Sequence, residues 1–288
     1  MYAEYDLDIP ETLNGALGIL ADANDSKTVP LAGGTNLIVD IRSKRERPER
    51  VVGLSNIDEL RGLDSDGARI SIGARTTVSD LLAWPEIAAA APSLIDSANV
   101  FAGQMVRNAA TVGGNIACGS PVADLVPPLM SLDAEVTLTS KSGTRSVALD
   151  DYYIGYKQDV RRPDELIAKI SWLRLPENSV NSFYKLARRK GDAITITGVA
   201  VTLAVANGKC AKARIVLGAV SPVVLRAKKA EAILEGAVLT PALIDAAAVQ
   251  AVEECRPIDD MRASADYRRH TVEALTRRLV SAAWQELC

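Results

Sequence analysis

Two glycine pairs in similar surroundings constrain this 288-residue chain more than any other feature. Ala32-Gly33-Gly34-Thr35-Asn36 and Thr111-Val112-Gly113-Gly114-Asn115 each follow a short apolar run and join two glycines to polar neighbours. With no Cβ in the way, backbone amides can approach a ligand closely. Successive exposed N–H groups then form concavities suited to phosphate oxygens. Thr35, Asn36, Thr111 and Asn115 add hydroxyl and amide donors. Neither segment is followed by the Gly-Lys-Ser/Thr of a P-loop, and neither reads GxGxxG. A lone glycine pair is an ordinary loop feature. Two in order, eighty residues apart (33 to 113), point to a diphosphate ligand held between two parts of one domain.

Hydrophobic spacing places these pairs in a mixed framework. Leu13, Ala16, Leu17, Leu20 and Ala21 share one face of a helix predicted over 11–24. Thr28–Leu31 reads as a short strand entering the first glycine loop, Leu37–Ile41 continues apolar, and Ser43–Arg50 reads as a solvated turn. Val51–Leu54 and Arg69–Ile72 read as strands with Asp64-Ser65-Asp66-Gly67 as the turn between them. Helices are expected after Thr77, whose spacing to Asp80 fits an N-terminal cap loosely, and over Ala90–Ala98. Gln104–Asn108 leads into the second glycine loop, and Asp124–Leu132 reads as a buried helix. Ala134–Thr139 and Thr144–Val147 form a hairpin across Lys141-Ser142-Gly143, and Leu166–Leu175 is a further strand. Strands adjacent in sequence argue for α+β rather than a βαβ array. Past Pro176–Ser179 come three consecutive strands, Phe183–Ala187, Ile194–Val205 and Ala211–Ala219, with Asn207-Gly208 as a hairpin turn. Two helices, Pro241–Cys255 and Asp266–Leu287, follow. A domain boundary is expected near 176–179.

Net charge of −3 and the lack of a basic stripe argue against nucleic acid. No run reaches eighteen apolar residues, so no membrane-spanning helix is expected. The acidic Met1–Pro10 segment does not read as a signal peptide. Cys118, Cys210, Cys255 and Cys288 lack metal or redox spacing and read as reduced thiols of a cytoplasmic protein. With His270 the single histidine, a histidine-based triad or histidine-rich metal site is not expected.

The second glycine segment continues as Ile116-Ala117-Cys118-Gly119-Ser120-Pro121-Val122-Ala123-Asp124. Together with Ala-Gly-Gly-Thr-Asn, this resembles the FAD-binding medium subunit of the molybdenum hydroxylases, the xanthine dehydrogenase and carbon monoxide dehydrogenase family. The resemblance extends along the chain through Asp151–Tyr156, Asp164–Ile167, Lys185–Asp192 and Arg262–His270. It implies a two-subdomain FAD-binding module of the PCMH type over 1–177, with subdomains of about 1–54 and 55–177. A small α+β domain over 178–288, with a three-stranded antiparallel sheet and helices, would follow. By motif position, Ala32, Gly33, Gly34, Thr35, Asn36 and Leu37, with Ala110, Thr111, Gly113, Gly114 and Asn115, would contact FAD. Asp124 would meet a sugar or ribityl hydroxyl, and Ile167 would present backbone groups to the flavin ring. Lys185 and Asp192 would lie near the flavin, while Cys118 is either a flavin contact or a small filler.

The resemblance further implies an electron-transfer subunit without substrate-oxidising residues of its own. Substrate would react at a molybdopterin cofactor on a large subunit. Electrons would cross [2Fe-2S] clusters on a small subunit, reach FAD here and leave to an external acceptor. The assembly expected is a dimer of heterotrimers. Ala193 stands where the carbon monoxide enzymes tend to have an aromatic residue after the Gly-Asp pair, which weakens carbon monoxide as the expected substrate. No cysteine-bearing insertion of the hydroxybenzoyl-CoA reductases is present. Two competing readings are a self-contained flavin reductase resembling UDP-N-acetylenolpyruvoylglucosamine reductase, and a non-catalytic nucleotide-binding assembly protein. The first shares the glycine pairs but not the Asn115–Asp124 continuation. Arg188-Arg189-Lys190 reads as a solvated turn or as a guide for an anionic acceptor, and His270 with Arg268 and Arg269 as helix surface or a subunit contact.

Overall fold

A computed structural model describes residues 4–23 and 27–288. Met1–Ala3 of the N-terminal segment and Asn24, the last residue of the first expected helix, lie outside the described residues. Helices and sheets mix in an α+β arrangement of three layers of core. The first is a parallel sheet in the order Asp6–Asp8, Arg50–Gly53, Thr28–Leu31. Pro30 is tolerated because its strand lies at the sheet edge, where a missing N–H breaks no ladder. The Leu13–Asp22 helix, capped by the Thr12 hydroxyl, buries Ala16, Leu17 and Leu20 against Val52, Leu54, Ile57 and Leu60. Leu37–Ile41, expected only as an apolar stretch, forms a helix to Arg42.

The second sheet is antiparallel, ordered Leu63–Ser65, Arg69–Gly73, Leu166–Leu173, Glu135–Ser140, Gly143–Ala148. Here the turn reading needs a correction. Arg69–Gly73 pairs with Leu63–Ser65 through a tight turn at Asp66-Gly67, not with Val51–Leu54, which belongs to the parallel sheet. Asp66 makes that turn itself, its carboxylate accepting from the amides of Ala68 and Arg69. Six short helices lie between Gly73 and Glu135 and share one core with this sheet and with Phe183, Ala200 and Val216. The one at Val78–Ala83 has a complete capping box, Thr77 and Asp80 each serving the other's amide.

The third sheet runs Ser179–Ala187, Thr195–Ala206, Lys209–Gly218, then a two-residue edge strand at Leu225–Arg226 that the sequence did not announce. Asn207 and Gly208 both have positive φ, as a two-residue hairpin turn requires. Val199, Val201 and Leu203 face the helices Lys228–Leu234, Pro241–Glu254 and Ala265–Leu287, whereas Ala200 packs into the second layer's core with Phe183 and Val216. Covered on both faces, the central strand reads as a near-continuous apolar run. Ion pairs from Asp133 to Lys212 and Arg214, both at 2.7 Å, tie the second and third layers together.

Candidate functional site

The first glycine segment turns from the end of the Thr28–Leu31 strand into the Leu37–Arg42 helix. Its amides from Gly33 to Leu37 donate to no group among the described residues. Thr35 and Asn36 are exposed. Gly34 sits at φ +70, a conformation glycine adopts without a Cβ penalty. Gly33 is required for a different reason. A Cβ there would fall 1.8 Å from the carbonyl oxygen of Ala109, immediately before the second segment. The Asn36 side-chain Nδ2 donates to Asp40, a buried carboxylate that also pairs with Arg45 at 3.0 Å and Lys157 at 3.7 Å. Asp40 and Lys157 thus hold the loop's far end, a role without a sequence signal.

The second segment is not a loop. Val112–Ala117 forms a short helix with Thr111 as N-cap. Val112 donates to Thr76 O, Gly113 to Ala74 O at 2.8 Å, Gly114 to the Thr111 hydroxyl at 3.1 Å, and Asn115 to Thr111 O. Only the Thr111 amide in this stretch has no partner among the described residues. A Cβ on Gly113 would meet Ala74 Cβ at 2.6 Å, so that glycine permits the helix to touch the turn that follows the Arg69–Gly73 strand. The Asn115 side chain accepts from Leu125 N, tying the helix to the residue after Asp124. The Tyr153 hydroxyl donates to Ile116 O at 2.9 Å, and Tyr152 stacks edge-on against the Tyr153 ring. Cys118, at the helix end, is half-buried, and burial pushes its thiol pKa up.

Beyond the Gln104–Ala109 helix opens a cavity of about 180 Å³. Asp124 from the second glycine segment's continuation and Lys185 and Asp192 from the Lys185–Asp192 stretch meet at its wall with Phe101, Val122 and Ile194. Lys185 reaches Asp124 at 2.6 Å, with side-chain exposures of 4% and 11%, so water screens the pair weakly. Thr195 donates its hydroxyl to the other Asp124 oxygen, and Lys185 also reaches Val100 O. Burial pushes the Asp124 carboxyl above its ordinary range, against the downward pull of Lys185 and Thr195. Thr195 was missed by sequence reasoning, although a polar residue opening an apolar strand was its signal. Asp192, at φ +46, is exposed, and its carbonyl accepts from the Arg189 guanidinium.

Ala32, Leu37 and Ala110 flank the glycine contacts. Ile167 lies apart from the cavity wall, buried in the central strand of the second sheet at a bulge. Its neighbour Ala168 accepts from Ala74 N, the residue that also receives Gly113. His270 is exposed on the last helix.

Two family models account for the chain: residues 3–176 match the FAD binding domain in molybdopterin dehydrogenase, and residues 182–283 the CO dehydrogenase flavoprotein C-terminal domain. The chain belongs to the molybdopterin dehydrogenase FAD-binding family. It is 30% identical over 276 residues to the carbon monoxide dehydrogenase medium chain of Hydrogenophaga pseudoflava, covering 96% of this chain and 95% of that one. It is equally, at 30%, identical to the putative xanthine dehydrogenase FAD-binding subunit XdhB of Escherichia coli, covering 94% and 93%. The solved structure of the Hydrogenophaga pseudoflava carbon monoxide dehydrogenase lacking the Mo-pyranopterin moiety superposes with a TM-score of 0.95, over 100% of this chain and 99% of that chain, at 30% identity. The chain is therefore an oxidoreductase subunit that binds FAD. No described helix is long and apolar enough to cross a membrane.

Proposed function

We propose that this subunit is the electron outlet of a molybdenum hydroxylase complex, taking electrons from [2Fe-2S] clusters of a small partner and passing them to an external acceptor. A large subunit would oxidise the substrate at its molybdopterin cofactor. The observation that carries this reading is the row of unpartnered amides from Gly33 to Leu37, seated by Gly33 against the Ala109 carbonyl. These amides suit a diphosphate, and the missing Cβ of Gly33 lets the loop that carries them lie against the Ala109 carbonyl. Ala32 and the Ala110–Asn115 stretch would form the facing wall, with the Thr111 amide the donor left over on that side, and Cys118 behind it.

Between the cavity and the glycine contact at Ala109 runs the Gln104–Ala109 helix, which rises roughly 7.5 Å at the helical rise per residue. That separation suits a ligand with a diphosphate at one end and a ring at the other. Asp124 would orient a polyol hydroxyl, Lys185 and Asp192 would lie beside the ring, and Ile167 would present backbone groups toward it from the sheet. When bound, FAD supplies the one- and two-electron chemistry. The chain's own residues bind, orient and set the local field. We assign 1–177 to the FAD-binding unit, with subdomains of about 1–54 and 55–177, and 178–288 to the C-terminal unit. A dimer of heterotrimers is the assembly we infer, and four cysteines outside any disulfide support a cytoplasmic setting.

The test is spectroscopic. The purified chain should carry or take up FAD, release it on denaturation, and hydroxylate no substrate without its partners. A chain that takes up no FAD, or that oxidises substrate alone, overturns the reading.

A further inference from the structure

We propose that Arg268, far from the glycine segments in sequence, is a positioning residue for the cavity. It aligns the two backbone points by which the C-terminal sheet grips the Pro121–Asp124 segment. The inference rests on the FAD reading above only for its affinity readout.

The ladder between Thr195–Ala206 and Lys209–Gly218 has its last pair at Gly198 and Gly218. Past that pair the carbonyls of Ile196 and Ala219 need other donors, since buried carbonyls are almost always paired. One guanidinium nitrogen of Arg268 serves both, at 2.6 Å and 2.8 Å. Its second terminal nitrogen pairs with Asp260 at 2.9 Å, and the residue is 2% exposed. Asp260 is itself held by the amides of Arg262 and Ala263 and by the Arg262 guanidinium. The cation is therefore built in, not merely enclosed.

Both carbonyls belong to residues that touch the cavity wall's support. The Ala219 amide donates to Pro121 O at 2.7 Å, from a left-handed backbone at φ +67 that is unfavourable for alanine. Ile196 follows Thr195, whose hydroxyl donates to Asp124. A Cβ on Gly218 would lie 3.1 Å from Pro127, so the same strand end is pressed onto the segment past Asp124. Arg268 thus fixes the spacing between the Pro121 grip and the Asp124 grip without touching either.

Replacing a buried ion pair by apolar groups is often neutral for stability, so stability alone gives little reason for a cation here. Positioning gives one. The test compares Arg268→Met, Arg268→Lys and, as control, Arg277→Ala, whose exposed partners are Asp245 and Glu273. FAD affinity and the visible circular dichroism of bound flavin are measured in the full chain, with hydrogen exchange at Ala123–Leu125 in the FAD-free chain. Arg268→Met should weaken FAD binding roughly 10-fold, within the range usual for coupled sites, and change the dichroism. Arg268→Lys should recover part of both, and Arg277→Ala should match wild type. If Arg268→Met does not fold, Arg268→Lys combined with Thr195→Val decides: a non-additive loss supports the proposal and an additive one overturns it. A lowered thermal midpoint with wild-type affinity, dichroism and exchange also overturns it. Should the wild type itself take no FAD, the earlier reading falls. Faster exchange at Ala123–Leu125 in Arg268→Lys would still establish the positioning, and unchanged exchange would end it.

Discussion

The two glycine segments look alike in sequence and do different work in the fold. The Gly33-Gly34 segment leaves five consecutive amides without partners among the described residues, whereas the amides of Gly113 and Gly114 are spent on Ala74 and Thr111. One segment therefore presents donors, and the other is a packed helix start that backs it. The lesson is that a glycine pair marks close approach, but what approaches is decided elsewhere. At Gly33 and Gly113 it is another part of the same backbone.

The largest effect expected from breaking this contrast is at Gly33. Gly33→Val drives side-chain atoms into the Ala109 carbonyl and should lower FAD affinity by about 100-fold or more, near 2.7 kcal/mol. Flavin-to-protein ratio and fluorescence titration measure it, and full occupancy would show that the contact does not set the loop. Gly113→Val should instead act on folding, costing roughly 1–3 kcal/mol by overpacking against Ala74. Denaturant unfolding reads that loss, while the folded fraction should keep FAD affinity within a few-fold. If affinity collapsed as it does for Gly33→Val, the two segments would be equivalent after all.

Smaller effects sharpen the picture. Gly34→Ala forces a left-handed backbone on alanine, at a cost of roughly 1–2 kcal/mol, seen in thermal unfolding with and without FAD. Thr111→Val removes the helix cap that the Gly114 amide uses and should cost about 1 kcal/mol, with little change in the Gly33 loop. Smallest is a pH effect at the cavity. Burial raises Asp124 above its ordinary value of 3.8, so the folded chain holds that proton more tightly than the unfolded chain. Its stabilising contribution is present below 3.8 and declines as pH rises through the folded value. Asp124→Asn should flatten that part of the stability profile in denaturant titrations across the acid range. An unchanged slope would mean the carboxyl is not displaced in this direction.

Much of the framework was legible because it depends on short-range pattern. The Glu135–Ala148 hairpin, the Asn207-Gly208 turn and the last two helices follow from alternation, turn chemistry and helical spacing. The partner of Arg69–Gly73 was misread, since a three-residue strand at Leu63–Ser65 carries too few side chains to show alternation. Likewise Leu225–Arg226 is a strand only because Val216 and Leu217 lie beside it. At the site, Asp124 lies some sixty residues from the Lys185–Asp192 stretch, and nothing local said they would meet at one cavity. Thr195, Asp40 and Arg268 escaped because each acts through a partner distant in sequence.

By itself the sequence determined the local elements, the family and the cofactor class, since these rest on residue types in a fixed order. Only the tertiary structure decided which glycine amides stay free, which carboxylate is buried beside a lysine, and where one guanidinium stands in for a missing ladder. The physical reason is that a hydrogen bond is satisfied in space, by groups whose separation along the chain carries no signal.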